Sequence, residues 1–164
     1  MKTIVALVDH SDVTPKVLDQ AHRLSQALGG HVILINVLPE TVVAEFGVVR
    51  IEPEELRAAQ QKLFALRDSL AARGTPATAQ QALGPVVDTI LSKCKPLSPD
   101  LVIMGSHGHG ALYNLLVGSI TEGILRRAPC PVLVVPSNSE VRAEAADDSS
   151  EDQPGFDETG FAND

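Results

Sequence analysis

Two short clusters carry most of the chemical promise in this chain. The apolar run Leu101-Val102-Ile103-Met104 leads straight into Gly105-Ser106-His107-Gly108, and after nine intervening residues comes Gly118-Ser119-Ile120-Thr121. Glycine lets a main chain approach a ligand with no Cβ in the way. A glycine turn leaving a strand, followed by a glycine-hydroxyl pair opening a helix, gathers backbone N–H groups around an anion such as a phosphate. The helix dipole favours the same charge, and the hydroxyls of Ser119 and Thr121 add donors. This array is not a Walker loop, because no GxxxxGK[ST] occurs anywhere in the chain. Nor is it a Rossmann fingerprint, whose glycines would follow the first strand, where Asp9-His10-Ser11-Asp12 stands instead.

Other groups offer less. His107 and His109 are two residues apart, but no cysteine or third ligand accompanies them, so they read as a solvent-facing pair and no metal site is expected. Asp9, Ser11 and a histidine have the residue types of a hydrolytic triad, yet no G-x-S-x-G elbow is present and no catalytic residue is assigned. Cys94 and Cys130 are the only thiols and read as reduced, structural residues.

The elements that must position the array emerge from periodicity. Residues 3–8 and 32–38 are continuous apolar runs of the kind buried on both faces of a parallel sheet. Between them Val17, Leu18, Ala21, Leu24, Ser25 and Leu28 keep helical spacing, with Thr14-Pro15 as cap and first position and Gly29-Gly30 as stop. Residues 39–52, with Pro39 and Gly47, read as a loop. A helix over about 53–73 carries Leu56, Ala59, Leu63, Leu66 and Leu70 on one face. Residues 77–83 form a more polar strand suited to a sheet edge, and Val86 to about Lys95 a short helix closed by Pro96 and Pro99. The strand at 100–105, a helix over about 116–127 and the strand Val132–Val135 complete the body. The alternation predicts an α/β fold, a three-layer open parallel sheet of five strands in the order 3-2-1-4-5. Ligands of such sheets bind at the carboxyl ends of the strands, where the order reverses, which brings Asp9 and Gly105 to one mouth.

Composition narrows the class. With 164 residues, 44% apolar, 3% aromatic and no tryptophan, and a mean hydropathy of +0.09, the chain suits one domain with an aliphatic core. No apolar run approaches the ~20 residues of a membrane helix, and the opening segment is too short for a signal peptide, so a cytoplasmic setting with no membrane partner is expected. The net charge of −8 lies in the tail: residues 1–136 hold 12 acidic and 12 basic residues, whereas residues 137–164 hold nine acids against Arg142 alone. A neutral body with no basic stripe argues against nucleic acid as a partner. The tail, poor in apolar residues, is expected to be disordered.

The array Gly105-x-x-Gly108-x9-Gly118-Ser119 resembles the nucleotide-binding signature of the universal stress protein family, in its ATP-binding branch. The resemblance extends over residues 1–136: Val8-Asp9-x-Ser11 ends the first strand, Asn36-Val37 the second, and Arg126-Arg127-Ala128-Pro129-Cys130-Pro131 leads into the last. It implies an adenine-nucleotide alpha-hydrolase-like fold with a bound ATP, Mg2+ being carried on the phosphates. By the same resemblance Asp9 lies by the ribose or adenine edge, with Ser11 a further binding residue, and Val37 meets the adenine. Gly105, His107 and Gly108 bring main chain against ribose and inner phosphates, with Met104 a further binding residue, while Gly118, Ser119, Ile120 and Thr121 hold the outer ones. His10 stands where family members often carry glycine. A homodimer through Val132–Val135 and an unidentified protein partner are further implications, and an apolar edge strand invites such pairing on its own account. The resulting expectation is a nucleotide-dependent stress sensor, with a scaffold of the same fold as alternative. A slow ATPase or self-phosphorylating protein, with Ser119 or Thr121 as acceptor, is a third.

Overall fold

The computed structural model describes residues 1–44, 47–106 and 118–137. The elements in chain order are β1 (Lys2–Leu7), α1 (Thr14–Leu28), β2 (Gly30–Leu38), β3 (Thr41–Ala44), β4 (Gly47–Arg50), α2 (Pro53–Ala72), β5 (Ala77–Leu83), α3 (Val86–Leu97), β6 (Leu101–Gly105), α4 (Ser119–Arg127) and β7 (Val132–Val135). Five strands form one sheet in the order β5-β2-β1-β6-β7, all parallel, which is the expected 3-2-1-4-5.

The unbroken apolar strands are explained by burial on both sides. Alternate side chains of a strand point to opposite faces. Ile4, Ala6 and Val8 with Val32 and Leu34 face Val17, Leu18 and Ala21 of α1 and Leu63 and Leu70 of α2. Val5, Leu7, Ile33 and Ile35 face Ile90 and Cys94 of α3 and Ile124 of α4. Two aliphatic cores thus sandwich the sheet. Burying each such Leu or Ile is worth roughly 1.5–3 kcal/mol. On α2 only Leu63 and Leu70 are fully buried, seven residues or two turns apart, so the helix lies on the sheet along a narrow stripe.

Several expectations are corrected. Residues 39–52 are not a loop: β3 and β4 pair antiparallel from Thr41↔Arg50 to Ala44↔Gly47. The β-branched residues Thr41, Val42, Val43, Val48 and Val49 outweigh the punctuation of Pro39 and Gly47. Thr14 is the first helical residue of α1 and Val13 its cap, so Pro15 stands one place further in. Gly29, left-handed at φ 62°, ends that helix, while Gly30 already opens β2. Pro96 sits inside the last turn of α3. The described part of the last helix begins at Ser119, with Gly118 as its cap. Residues 107–117, with His107, Gly108 and His109, and the tail from 138 lie outside the described residues. Among the described residues no helix is long and apolar enough to cross a membrane.

Candidate functional site

The carboxyl ends of β1, β2 and β6 open at one edge of the sheet, where the strand order reverses between β1 and β6. From β1 the chain turns through Asp9 and His10 into α1. Asp9 Oδ1 accepts the Ser11 N–H at 3.0 Å, the Ser11 hydroxyl at 2.6 Å and the Thr14 hydroxyl at 3.4 Å. The Ser11 carbonyl in turn accepts the Thr14 N–H at 3.0 Å. A carboxylate bonded to the backbone two residues on is an Asx turn, so Asp9 folds the turn that presents it. His10 is left-handed at φ 62°. That conformation is sterically easy for glycine, and histidine is among the side chains that tolerate it.

The β2 end is locked to β1. Asn36, 1% exposed, donates from Nδ2 to the Val8 carbonyl at 2.8 Å, and the Val8 N–H donates to the Ile35 carbonyl at 3.0 Å. Val37, Leu38 and Pro39 continue the rim.

The β6 end is shaped by Gly105. A Cβ there would collide with Cγ1 of Val13, the cap of α1, so its glycine lets β6 pass close to that helix. Ser106 joins three segments. Its N–H donates to the Val135 carbonyl at 2.9 Å, and its own carbonyl accepts the Gly118 N–H at 3.5 Å and the Thr121 hydroxyl at 3.3 Å. Thr121, 3% exposed, shares the same hydroxyl proton with the Gly105 carbonyl at 3.3 Å. Its single O–H is thus spent inside the protein, leaving lone pairs that only accept. The N–H groups of the first turn of α4 have no intrahelical partner and sit at the positive end of the helix dipole.

These three ends and the start of α3 enclose a cavity of about 500 Å³. Asp9, Val37, Met104, Gly105, Gly118, Ser119, Ile120 and Thr121 all line it. Ser11 does not; it acts on Asp9 from behind. His107 and Gly108 lie outside the described residues. The reading of single elements missed the apolar wall: Val13 and Val17 from α1, Val86 and Ile90 from α3, and the buried Asn36. Only the apolar start of α3 after Gly84-Pro85, at the same sheet edge, could have signalled Val86. The floor is aliphatic, the rim is polar at Asp9 and along α4, and no lysine or arginine lines the walls among the described residues. Such a cavity can take a flat apolar group inside and an anion at its mouth. Among the described residues no three His, Cys, Asp or Glu side chains cluster to hold a metal ion.

A family model for the universal stress protein family matches residues 1–136. The chain belongs to this family. A universal stress protein of Thermus aquaticus is 31% identical over 146 residues, covering 82% of this chain and 98% of its own. A universal stress protein solved in complex with cAMP superposes with a TM-score of 0.64 at 21% identity, covering 84% of this chain and 98% of that one. A family protein from Arabidopsis thaliana with AMP bound superposes at 0.61 and 17% identity, covering 90% of this chain and 100% of that one. At these identities the two solved structures establish the shared fold.

Proposed function

We propose that this universal stress protein binds ATP, with Mg2+ carried on the phosphates, and that the bound nucleotide alters its contacts with other proteins in a cytoplasmic stress response. In this reading residues 1–136 form the binding domain and residues 137–164 an acidic tail. The adenine enters the aliphatic floor beside Val37 and Met104. Asp9, held by Ser11, is set against the ribose or the adenine edge. Gly105 brings main chain to the ribose and inner phosphates, with His107 and Gly108 assigned beside it by resemblance alone. Gly118, Ser119, Ile120 and Thr121 take the outer phosphates at the helix N-terminus through main chain and the Ser119 hydroxyl, the Thr121 hydroxyl proton being held by the Gly105 and Ser106 carbonyls. Ligand-bearing relatives of the same fold, one with cAMP and one with AMP, support the adenine assignment.

The observation that carries the reading is the glycine at 118. Its φ of −59° suits any residue, and a Cβ built there meets, among the described residues, only the Ser106 carbonyl at 3.8 Å. A helix cap is served at least as well by Ser, Asp or Asn. Among the described residues neither backbone nor packing requires glycine here, but a phosphate lying on the main chain would. Calorimetric titration with Mg-ATP of the native chain beside Gly118→Val tests this directly. Micromolar binding, about 8 kcal/mol, is expected in the native chain and none in the variant. Two folded proteins that both leave ATP unbound would discard the nucleotide reading in favour of a scaffold. Phosphate release should be slow at most, since no cation lines the described walls to stabilise a transferring phosphoryl group.

The dimer belongs to the same proposal. β7 closes the sheet with one edge unpaired among the described residues, and Val132, Leu133 and Val134 are only partly buried. An aliphatic edge of this kind pairs readily with a second copy.

A further inference from the structure

We infer that Asn36 selects the base, its side-chain oxygen accepting a hydrogen bond from the exocyclic amine of a 6-aminopurine; the inference rests on the nucleotide reading above. Asn36 is 1% exposed and stands in the cavity wall at the end of β2. Its amide has one orientation. The Val8 carbonyl can only accept, so the group facing it at 2.8 Å is Nδ2. Oδ1 is thereby turned away from that bond, and among the described residues it is buried with no donor. A buried acceptor left unmatched is destabilising, and folded proteins keep few of them. One in the wall of a ligand cavity is explained when the ligand brings the donor.

The other polar side chains of the wall make the same demand. The Thr14 hydroxyl proton is directed to Asp9 Oδ1 at 3.4 Å, and the Thr121 proton to the Gly105 and Ser106 carbonyls, both at 3.3 Å. Asp9, Thr14, Asn36 and Thr121 thus turn acceptors, not donors, towards the cavity that they line. What enters beside them has to donate. A flat ring bearing an amino group does so at Asn36, while Val8, Val13 and Val17 of the same wall are apolar and suit its faces. A 6-oxo purine would set a second acceptor against Oδ1 and leave both unmatched. Oδ1 is covered by the wall, so the contact is made as neighbouring side chains shift rotamer around the seated base, a common change on binding.

The test titrates the native full-length chain and Asn36→Leu calorimetrically with the magnesium complexes of three triphosphates. These are ATP, ITP, whose base carries a 6-oxo group, and purine riboside triphosphate, whose base carries hydrogen there. Ribose and phosphates are common to all, so differences report the base alone. The native chain should bind ATP roughly ten-fold or more tighter than either analogue, as expected when a buried acceptor goes unmatched. In Asn36→Leu, close in size but apolar, ATP and purine riboside triphosphate should bind within about two-fold of each other. That variant also loses the bond to Val8, so circular dichroism checks that it folds; if it does not, Asn36→Ser, which fits in the space of Asn, repeats the comparison. Equal native affinities for ATP and purine riboside triphosphate would overturn the inference. So would a variant that keeps the native preference, since the main chain of the rim would then be reading the amine. If the native chain binds none of the three, the nucleotide reading itself fails and base selection falls with it.

Discussion

Two glycines of one motif are glycine for different reasons. At Gly105 the reason is internal, because α1 approaches so closely that Val13 Cγ1 occupies the space of a Cβ. Overpacking of this kind costs typically about 1–3 kcal/mol. Gly105→Ala should therefore lower stability by about that much in urea denaturation. A double-mutant cycle with Val13→Ala should show a favourable coupling of at least about 0.5 kcal/mol, since the second truncation removes the collision. At Gly118 no such neighbour is present among the described residues, and Gly118→Ala should cost no more than about 1 kcal/mol, the penalty of a poorer helix cap. Its effect should appear in nucleotide affinity. The ordering of the two variants, stability for one and binding for the other, separates scaffold from site.

At the scale of elements, the sheet's opposite end is clamped as carefully as the mouth. Asp100, one residue before β6, accepts the Lys2 ammonium at 2.7 Å and the Thr3 N–H at 2.8 Å, while its own N–H donates to the Thr3 carbonyl at 2.9 Å. β1 and β6 are thus held in register where they begin, which fixes how their carboxyl ends meet. The Lys2 hydrogen bond, then the Thr3 N–H, holds the Asp100 carboxyl below the usual carboxylate range. A carboxylate depressed in the folded state contributes stability above its unfolded pKa of about 3.9 and loses it as pH falls through the folded value. Asp100→Asn should accordingly lower the urea midpoint modestly at neutral pH, because the pair is exposed and screened. The gap between variant and native chain should close as the pH is taken below about 4, the unfolded carboxylate range. A gap that widened in acid would reverse the assignment. The hairpin β3–β4 is a second case at this scale: its valines carry strand propensity, but Pro39 and Gly47 read more loudly as punctuation.

Across the whole molecule, the two cysteines report on the integrity of one core. Cys94 is 1% exposed and packs in the layer between α3, α4 and the sheet, with Cys130 against the same cluster. Both are free thiols. Burial, and to a lesser degree Cys130, pushes the Cys94 thiol up to about 11, and burial raises Cys130 as well. At about pH 8 only about one Cys94 in a thousand is then thiolate, the form that reacts. An aromatic disulfide reagent should therefore modify Cys130 slowly and first, and Cys94 only at the rate of global opening. Denaturant should accelerate Cys94 by orders of magnitude. Fast labelling of Cys94 in the native protein would contradict the packing of α3 on the sheet.

Much of this architecture is local information and is legible in residue order. The strands run apolar without alternation because helices cover both faces, and that pattern with intervening helical periods specifies a parallel sheet. The glycine spacing and its position after the fourth core strand are equally plain, and they point to most of the polar rim that lines the cavity. Residue order does not say what each side chain faces. Ser11 and Thr14 look alike as hydroxyls near Asp9, and both donate to it, yet of the two Thr14 alone also lines the cavity. Thr121 reads as a phosphate donor, but its proton goes to two carbonyls of the β6 turn. The aliphatic wall from α3 and the meeting of Lys16 with Ser137, 121 residues apart, exist only because the sheet reverses its order between β1 and β6. Short-range periodicity determines which elements form; the partner of each polar group is decided by long-range packing, where burial demands that donors and acceptors be matched.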